Sequence, residues 1–81
     1  MDFPRVFLVK VMGANQDDFE GLVLSIIQKY AVVTAKEAMV SRVSRNGRFI
    51  SLTMRINAES QEQLDNIYRE LSAHEKVLMM L

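Results

Sequence analysis

The residues of this 81-residue chain that could carry chemistry are few. His74 is the only histidine, and the chain has no cysteine. A lone histidine without a second ligand at a recognisable spacing does not predict a metal site, and its position after a predicted helix favours a solvated loop residue. No serine or threonine lies in a nucleophile elbow or a serine–lysine motif. The sequence therefore predicts no catalytic residue, no metal and no cofactor.

A short acidic cluster is a second candidate site. Asp17, Asp18 and Glu20 lie within four residues of one another, and converging carboxylates can hold hard cations. Acidic side chains are also favoured in the first turn of a helix, where the helix dipole stabilises them. We predict that the cluster marks the beginning of a helix and does not bind a metal.

Gly13 is a candidate because the backbone amides that follow it, at the beginning of that helix, could receive an anion or a ligand carboxylate. One glycine is much less than a Gly-rich phosphate loop, and a simple turn glycine is the plainer interpretation. Lys10 and Met12 lead into this turn, and Lys10 is the one charged residue in an otherwise apolar segment. These residues could border a ligand site or an interface.

The elements that must position these residues follow from hydrophobic periodicity. Arg5 to Met12 is predicted to be a central strand that ends at Gly13. Asn15 is predicted to cap an amphipathic helix. Its apolar residues at helical spacing are Phe19, Leu22, Val23, Ile26, Ile27 and Tyr30.

A β-hairpin is predicted around Asn46 and Gly47, the pair that two-residue type I′ turns prefer. If Arg45 pairs with Arg48, the register places apolar residues on one face and a mixed polar and basic set on the other. The apolar face holds Met39, Ser41, Val43, Ile50, Leu52 and Met54. The mixed face holds Val40, Arg42, Phe49, Ser51, Thr53 and Arg55.

A second helix and a last strand complete the pattern. Ser60 and Gln63 form the sequence signature of a capping box, a buried stripe from Leu64 to Leu71 follows, and Val77 to Leu81 is predicted to be a strand. The order βαββαβ, with one apolar stripe on each helix, predicts an α+β ferredoxin-like sandwich. Both helices would cover one face of a four-stranded antiparallel sheet, with the first and third strands in the centre. We expect residues 1–81 to form one domain.

The sheet face opposite the helices, which we name the open face, is where function is expected. The charge of Lys10 places Val6, Leu8, Lys10 and Met12 on this face together with the mixed side of the hairpin. Such a surface is too apolar for bulk solvent and too charged for a core, which is typical of an interface. The candidate ligand- or partner-binding residues are Lys10, Met12, Gly13, Arg42, Phe49 and Arg55.

The distribution of charge limits the kinds of binding partner that we expect. Ten basic and ten acidic residues cancel over the chain, which argues against a uniform basic field for binding nucleic acid or membranes. Lys36 to Asn57 nevertheless holds five basic residues and one acidic residue, a local +4, and the remainder is −4. No apolar run approaches the roughly 20 residues of a membrane-spanning helix. The lack of cysteine suits a reducing compartment, and we expect a cytoplasmic protein.

Almost the whole chain resembles the YbeD-like family of small bacterial proteins, whose function is unassigned. The resembling segments are Phe3 and Pro4, Lys10 to Gly13, Asn46 to Phe49, Ile56 to Ala58, Gln63 to Leu71 and Val77 to Leu81. The resemblance implies a βαββαβ domain similar to the ACT domains that bind small ligands and regulate enzymes. It also implies an association with lipoate metabolism through genomic neighbourhood, and it points to Lys10, Met12 and Gly13 as a ligand or interface edge.

Two classes of function remain open at this point. The leading hypothesis is a non-catalytic ACT-like module that is regulatory, ligand-sensing or protein-binding. Its expected partners are a second copy, a metabolic enzyme or a small anionic or amino-acid-like ligand. RRM-like RNA binding through the open face is the alternative, but an RRM presents two aromatic residues on its third strand and this chain offers only Phe49. An acylphosphatase-type enzyme would need an arginine in the first loop, and Gly13 to Gln16 contains none.

Overall fold

The computed structural model describes residues 3–33 and 39–81. Its elements are β1 (Arg5–Ala14), α1 (Phe19–Gln28), β2 (Met39–Val43), β3 (Phe49–Ala58), α2 (Gln61–Ala73) and β4 (Val77–Met80). The four strands form one antiparallel sheet in the order β2-β3-β1-β4. The α+β ferredoxin-like βαββαβ arrangement predicted from the sequence is confirmed, with β1 and β3 in the centre.

The core lies between the two helices and one face of the sheet. Successive side chains of a strand point to opposite faces, and β1 shows the alternation clearly: Val9 and Val11 are fully buried, whereas Leu8 is 54% exposed. The buried residues of β3 and of both helices belong to the same cluster. They include Phe19, Val23, Ile26, Ile27, Ile50, Leu52, Met54, Ile56, Leu64, Ile67 and Leu71. The other alternation set of β1 and β3 forms the open face. Neither α1 nor α2 is long and apolar enough to cross a membrane.

The beginning of α1 differs from the sequence prediction. Asp18, not Asn15, is the N-cap, and its carboxylate accepts a hydrogen bond from the backbone N–H of Gly21 at 3.2 Å. Asp17 and Asp18 both have left-handed backbone conformations, with φ of 55° and 51°. These two residues turn the chain between Asn15 and the helix, so Asn15 lies too far from the helix to cap it. The acidic cluster therefore makes the turn and the cap of α1, as its helix-start interpretation implies.

The predicted end of β1 at Gly13 is also wrong, since the strand continues to Ala14. Gly13 is buried on the helix side of the sheet. A Cβ atom at this position would lie 2.5 Å from Cζ of Phe19 and 2.7 Å from the carbonyl oxygen of Lys76. A glycine is required here because Phe19 at the beginning of α1 and the connection between α2 and β4 pack directly on the backbone of Gly13.

The β2–β3 hairpin has the predicted register but a different turn. Val43 pairs with Ile50 and Met39 with Met54. A type I′ turn requires positive φ at both central residues, whereas only Gly47 of that pair has one, at 76°. The last pair is formed by Ser44 and Phe49, whose N–H and carbonyl oxygen are 2.9 Å apart. The connection therefore has four residues, 45–48, and it preserves the register because it is centred on the same point.

Side-chain hydrogen bonds explain the longer turn. The hydroxyl of Ser44 donates to Oδ1 of Asn46 at 2.9 Å and accepts from the N–H of Phe49 at 3.0 Å. Oδ1 of Asn46 also accepts from the N–H of Arg48 at 3.0 Å. Serine and asparagine side chains can replace backbone partners in this way, so the loop is held by groups that the turn dipeptide alone does not reveal.

α2 begins with a modified capping box. Oγ of Ser60 accepts from the N–H of Gln63 at 3.1 Å, as predicted. The Gln63 side chain, however, accepts from the N–H of Glu59 at 2.6 Å, and its amide nitrogen donates to the carbonyl oxygen of Tyr30 at 2.7 Å. α1 ends at Gln28, so Tyr30 lies beyond the helix to which the sequence pattern assigned it. Gln63 thus ties the start of α2 to the segment after α1.

Candidate functional site

The open face brings together five of the six candidate residues. Lys10 and Met12 lie on β1, Arg42 on β2, and Phe49 and Arg55 on β3. All five belong to the alternation set that faces away from the helices. Gly13, the sixth, belongs to the opposite set.

The cations of the open face surround a pair of hydroxyl groups. Thr53 lies directly opposite Lys10, and Ser51 lies directly opposite Arg42. Arg55 is two residues further along β3. Directly opposed Cβ atoms of an antiparallel pair are about 4.5–5.5 Å apart, and diagonal neighbours about 7–8 Å. Lys10 and Arg55 are diagonal neighbours, and Arg42 lies on the other side of β3 from Lys10, so the three cations border the two hydroxyls from different sides.

The open face carries positive charge only. No acidic residue occupies an open-face position on the described lengths of β1, β2, β3 or β4. The ion pairs among residues 3–33 and 39–81 are Lys29–Glu70 and Lys76–Asp17, both away from this face. Within the described residues, Lys10, Arg42 and Arg55 have no carboxylate partner, so their charges are available to another molecule.

Apolar side chains frame these cations. Val6, Leu8 and Val40 are 54–64% exposed, and Phe49 is 39% exposed. Met79 of β4 lies directly opposite Met12 and extends this apolar area. The sequence prediction did not include Met79, because the pairing of β1 with β4 shifts between Met12 and Gly13. Such an irregularity breaks simple alternation and leaves no local signal in a five-residue apolar segment.

Gly13 does not contribute to this surface. A cavity of about 310 Å³ lies near it on the other side of the sheet edge, lined by Ala14, Gln16, Phe19, Glu75, Lys76 and Leu78. Nζ of Lys76 is already paired with a carboxylate oxygen of Asp17 at 2.8 Å, and Glu75 adds a negative charge. This cavity therefore suits an anion less well than the open face does.

The beginning of α1, which the sequence offered only as a candidate anion site, is also poorly suited to an anion. The carboxylate of Asp18 already accepts from the N–H of Gly21, and Glu20 adds a second negative charge in the first turn. A helix N-terminus that is capped by its own carboxylates repels an incoming anion.

Asn15 holds the basic end of the hairpin in place. Its N–H donates to the carbonyl oxygen of Arg48 at 2.8 Å, and its side-chain amide donates to the carbonyl oxygen of Gly47 at 3.0 Å. The residue predicted to cap α1 therefore fastens the β2–β3 loop to the end of β1. Nothing in the local sequence indicates this contact, since its partners are more than thirty positions away.

His74 has a structural role in the described connection after α2. It follows the last turn of α2, and its Nδ1 accepts a hydrogen bond from the N–H of Lys76 at 3.1 Å. The histidine thus shapes the short connection to β4. In the described part of the chain, no group of three or more histidine, aspartate or glutamate residues is placed to hold a metal ion.

Comparison with known proteins now identifies the family. The family model described as "Protein of unknown function (DUF493)" matches residues 1–81. This chain belongs to the DUF493 family. A UPF0250 protein of Neisseria gonorrhoeae is 41% identical to the DUF493 chain over 81 residues, which is 100% of this chain and 89% of the relative. The predicted YbeD-like membership is confirmed.

Other relatives of the DUF493 chain are similar over their length. A UPF0250 protein of Nitrosomonas europaea is 41% identical over 81 residues, which cover 100% of this chain and 93% of the relative. A UPF0250 protein of Chromobacterium violaceum is 39% identical over 80 residues, which cover 99% and 90%. No solved structure matches the chain. Since these names state no activity, the surfaces of the DUF493 chain must carry the functional argument.

Proposed function

We propose that this protein is a non-catalytic regulatory module that binds an acidic, partly apolar segment of a partner protein on its open face. The observation that carries the proposal is the set of Lys10, Arg42 and Arg55 without a carboxylate on the same described face. Charge complementarity of this kind directs association and selects partners. A metabolic enzyme with an exposed acidic segment is the kind of partner that fits.

The shape of the open face supports a macromolecular partner over a small ligand. Sites for small molecules are concave and bury most of the ligand surface. The apolar side chains Val6, Leu8 and Val40 are each more than half exposed, so they project from a flat sheet. A protein segment that crosses several strands can cover them all, and a small amino-acid-like ligand cannot.

A second copy of the chain does not fit this face. Two open faces packed against each other would oppose Lys10, Arg42 and Arg55 to the same three cations, and like charges across an interface cost free energy. The outer side of α2 is acidic, with Glu62 and Asp65 exposed. Packing that side on the open face of another copy would be a head-to-tail contact, which produces open chains of molecules unless the rotation closes.

RNA binding is less well supported. Single-stranded nucleic acids are held by several aromatic side chains on which bases stack. On the open face Phe49 is the one aromatic residue among the described strand positions, and its neighbour two residues along is Ser51. RNA retention is therefore an outcome that the experiment must be able to detect.

The groups on the open face are suited to binding and not to catalysis. Lys10, Arg42 and Arg55 can bind anionic groups, and the Thr53 hydroxyl can donate a hydrogen bond, whereas the Ser51 hydroxyl already donates to the carbonyl oxygen of Arg42 at 3.4 Å. No described residue on the face is a general base or an activated nucleophile, which hydrolytic and transfer chemistry requires. The geometry of the open face therefore supports the binding of an anionic partner.

The proposal is tested by comparing two variants with the same net charge. The face variant carries Lys10→Gln, Arg42→Gln and Arg55→Gln, and the control carries Arg5→Gln, Arg45→Gln and Arg69→Gln. Each protein is immobilised and exposed to nuclease-treated extract of the source cells. We expect a protein that is retained by the wild type and the control but not by the face variant. Once purified, that protein should bind the wild-type chain by calorimetry, with an affinity that falls as salt rises.

Three results would contradict the proposal. The first is that the face variant retains the same proteins as the wild type while circular dichroism shows all three chains folded. The second is that the protein is retained from an untreated extract but not from the nuclease-treated extract, which would favour RNA binding. The third is that the retained protein binds with no dependence on salt, which would remove the role of the three cations.

A further inference from the structure

A different surface, the free edge of β2, carries a second inference. Among residues 3–33 and 39–81, β2 is an outer strand of the sheet and pairs with β3 alone. The bond from the N–H of Ser44 to the carbonyl oxygen of Phe49 sets the alternation of backbone groups along the strand. It directs the N–H and C=O groups of Val40 and Arg42 toward β3. The groups of Met39, Ser41 and Val43 therefore point outward, away from the sheet.

Within the described part of the chain, the β2 edge lacks the usual protection against pairing with another strand. Natural edge strands are blunted by proline, by bulges or by charged side chains. Met39–Val43 contains no proline, its pairing with β3 is regular, and its one charge is Arg42. Side chains on both faces of β2 are accessible. Val40 on the open face is 64% exposed, and Val43 on the helix side is 49% exposed.

We propose that β2 pairs in antiparallel fashion with β2 of a second copy, about a two-fold axis at Ser41, to give one eight-stranded sheet. In this register Ser41 faces Ser41 of the second copy, and Met39 faces Val43. All six outward N–H and C=O groups of each strand then find partners. On the open face, Val40 lies opposite Arg42 in both halves of the pair.

The two neighbouring registers are less favourable than the register centred on Ser41. Moving the two-fold axis to Arg42 would oppose Arg42 to itself, and like charges directly opposite are destabilising in a sheet. Moving the axis to Val40 pairs the outward backbone groups of Met39 and Ser41 only, within the residues that the structure describes. The sequence Met39-Val40-Ser41-Arg42-Val43 is therefore self-complementary about its middle residue.

This dimer has a consequence for the open face. Two-fold pairing of edges leaves both open faces on the same side of the extended sheet, so the two sets of cations become one continuous surface. The inference does not depend on the proposed partner, because the edge and the open face are different surfaces. Its test uses the isolated chain, so a failure here and a failure of partner binding are distinguishable.

The test is the oligomeric state of the wild type and of charge variants at the symmetry axis. Sedimentation equilibrium at protein concentrations up to about 1 mM detects association as weak as a millimolar Kd. The average mass of the wild type should rise from 9.3 kDa toward twice that value. Ser41→Lys and Ser41→Glu each oppose two like charges and should weaken dimerisation about tenfold or more. An equimolar mixture of these two variants should recover the dimer, because opposite charges then meet.

Ser72→Lys is the matched control, since Ser72 is exposed near the end of α2, away from the edge. It should dimerise like the wild type. The inference is overturned if the wild type keeps the monomer mass over the whole range. It is also overturned if Ser41→Lys associates as strongly as the wild type, or if the mixture of the two charge variants stays monomeric. Circular dichroism of each variant checks that the fold is kept, which we expect because the Ser41 side chain is exposed.

Discussion

At the scale of single residues, Glu70 links the two helical segments. Its Oε1 accepts from the Tyr30 hydroxyl at 2.6 Å, and its Oε2 pairs with Nζ of Lys29 at 2.5 Å. The hydrogen bonds from Lys29 and Tyr30 lower the pKa of Glu70, and the same bonds raise the pKa of Lys29 and of Tyr30. Each group is thus held in the protonation state that the others require.

Glu70→Gln should lower the free energy of unfolding near neutral pH, because both partners lose the carboxylate. A carboxyl whose folded pKa is depressed stabilises the fold above its unfolded pKa and loses that contribution as the pH falls. The difference between wild type and variant should therefore shrink below about pH 4.5. It should shrink again above about pH 10, where Tyr30 and Lys29, with raised pKa values, lose their protons. Urea unfolding across this pH range measures the difference.

Glu62→Gln provides the comparison, since Glu62 lies on the same helix and is exposed. It should lower stability less than Glu70→Gln does, because Glu62 loses only its interaction with the helix dipole at the beginning of α2. A Glu70→Gln deficit that is constant from pH 3 to pH 8 would show that the carboxylate charge is not what links Lys29 and Tyr30 to α2.

At the scale of elements, the glycines show how packing and helix capping differ. A Cβ atom at position 13 would clash with the ring of Phe19 and with the carbonyl oxygen of Lys76. Neither group can move unless an element of the fold shifts. A Cβ atom at position 21 would meet the side-chain carboxylate of Asp18, which can rotate away. An alanine at position 21 would also favour the helix by about 1 kcal/mol.

We therefore expect Gly13→Ala to destabilise the protein by about 1–3 kcal/mol, the usual cost of overpacking. Gly21→Ala should change stability by less than about 1 kcal/mol, because the weakened cap of Asp18 offsets the gain in helix propensity. Chemical unfolding at neutral pH measures both. Equal losses in the two variants would mean that the backbone around Gly13 adapts and that the contact with Phe19 is not a constraint.

The elements also show what a sequence can predict. The order of the elements predicted the arrangement of the strands in the sheet. Alternation in β1 and around Asn46 predicted the hairpin register and the open face, because burial on one side enforces a period of two. The turn type, the N-cap of α1 and the position of Met79 were predicted wrongly or not at all. Each depends on a side-chain bond or a strand irregularity, such as the contact of Asn15 with Gly47, that joins distant parts of the chain. The hydrogen bond from Tyr30 to Glu70 could not be predicted for the same reason, because the two residues are 40 positions apart.

At the scale of the whole molecule, a net charge of zero conceals a separation of charge. Residues 39–57 contain Arg42, Arg45, Arg48 and Arg55 and no acidic residue, whereas α2 and the beginning of α1 are mainly acidic. The molecule therefore presents a basic end and an acidic side at once. Fields of this kind act over about a Debye length, roughly 8–10 Å at moderate salt.

We expect the wild-type chain to be retained on a sulfonate cation exchanger at pH 7 in low salt, despite its net charge of zero. The face variant should elute earlier than the control variant that lacks Arg5, Arg45 and Arg69, although their net charges are equal. Elution of the two variants at the same salt would mean that the exchanger senses net charge alone and that the open face is not a distinct basic surface.

The two hydrogen bonds of Asn15 to the β2–β3 loop have a kinetic consequence. They brace the loop that joins Arg42 to β3, so the basic surface holds its shape before a partner arrives. A rigid site spends little free energy on ordering itself when it binds. Association with an acidic segment should then proceed at the rate of diffusive encounter, without a slow rearrangement. Loosening the brace with Asn15→Ala would slow or weaken binding without touching a residue that meets the partner.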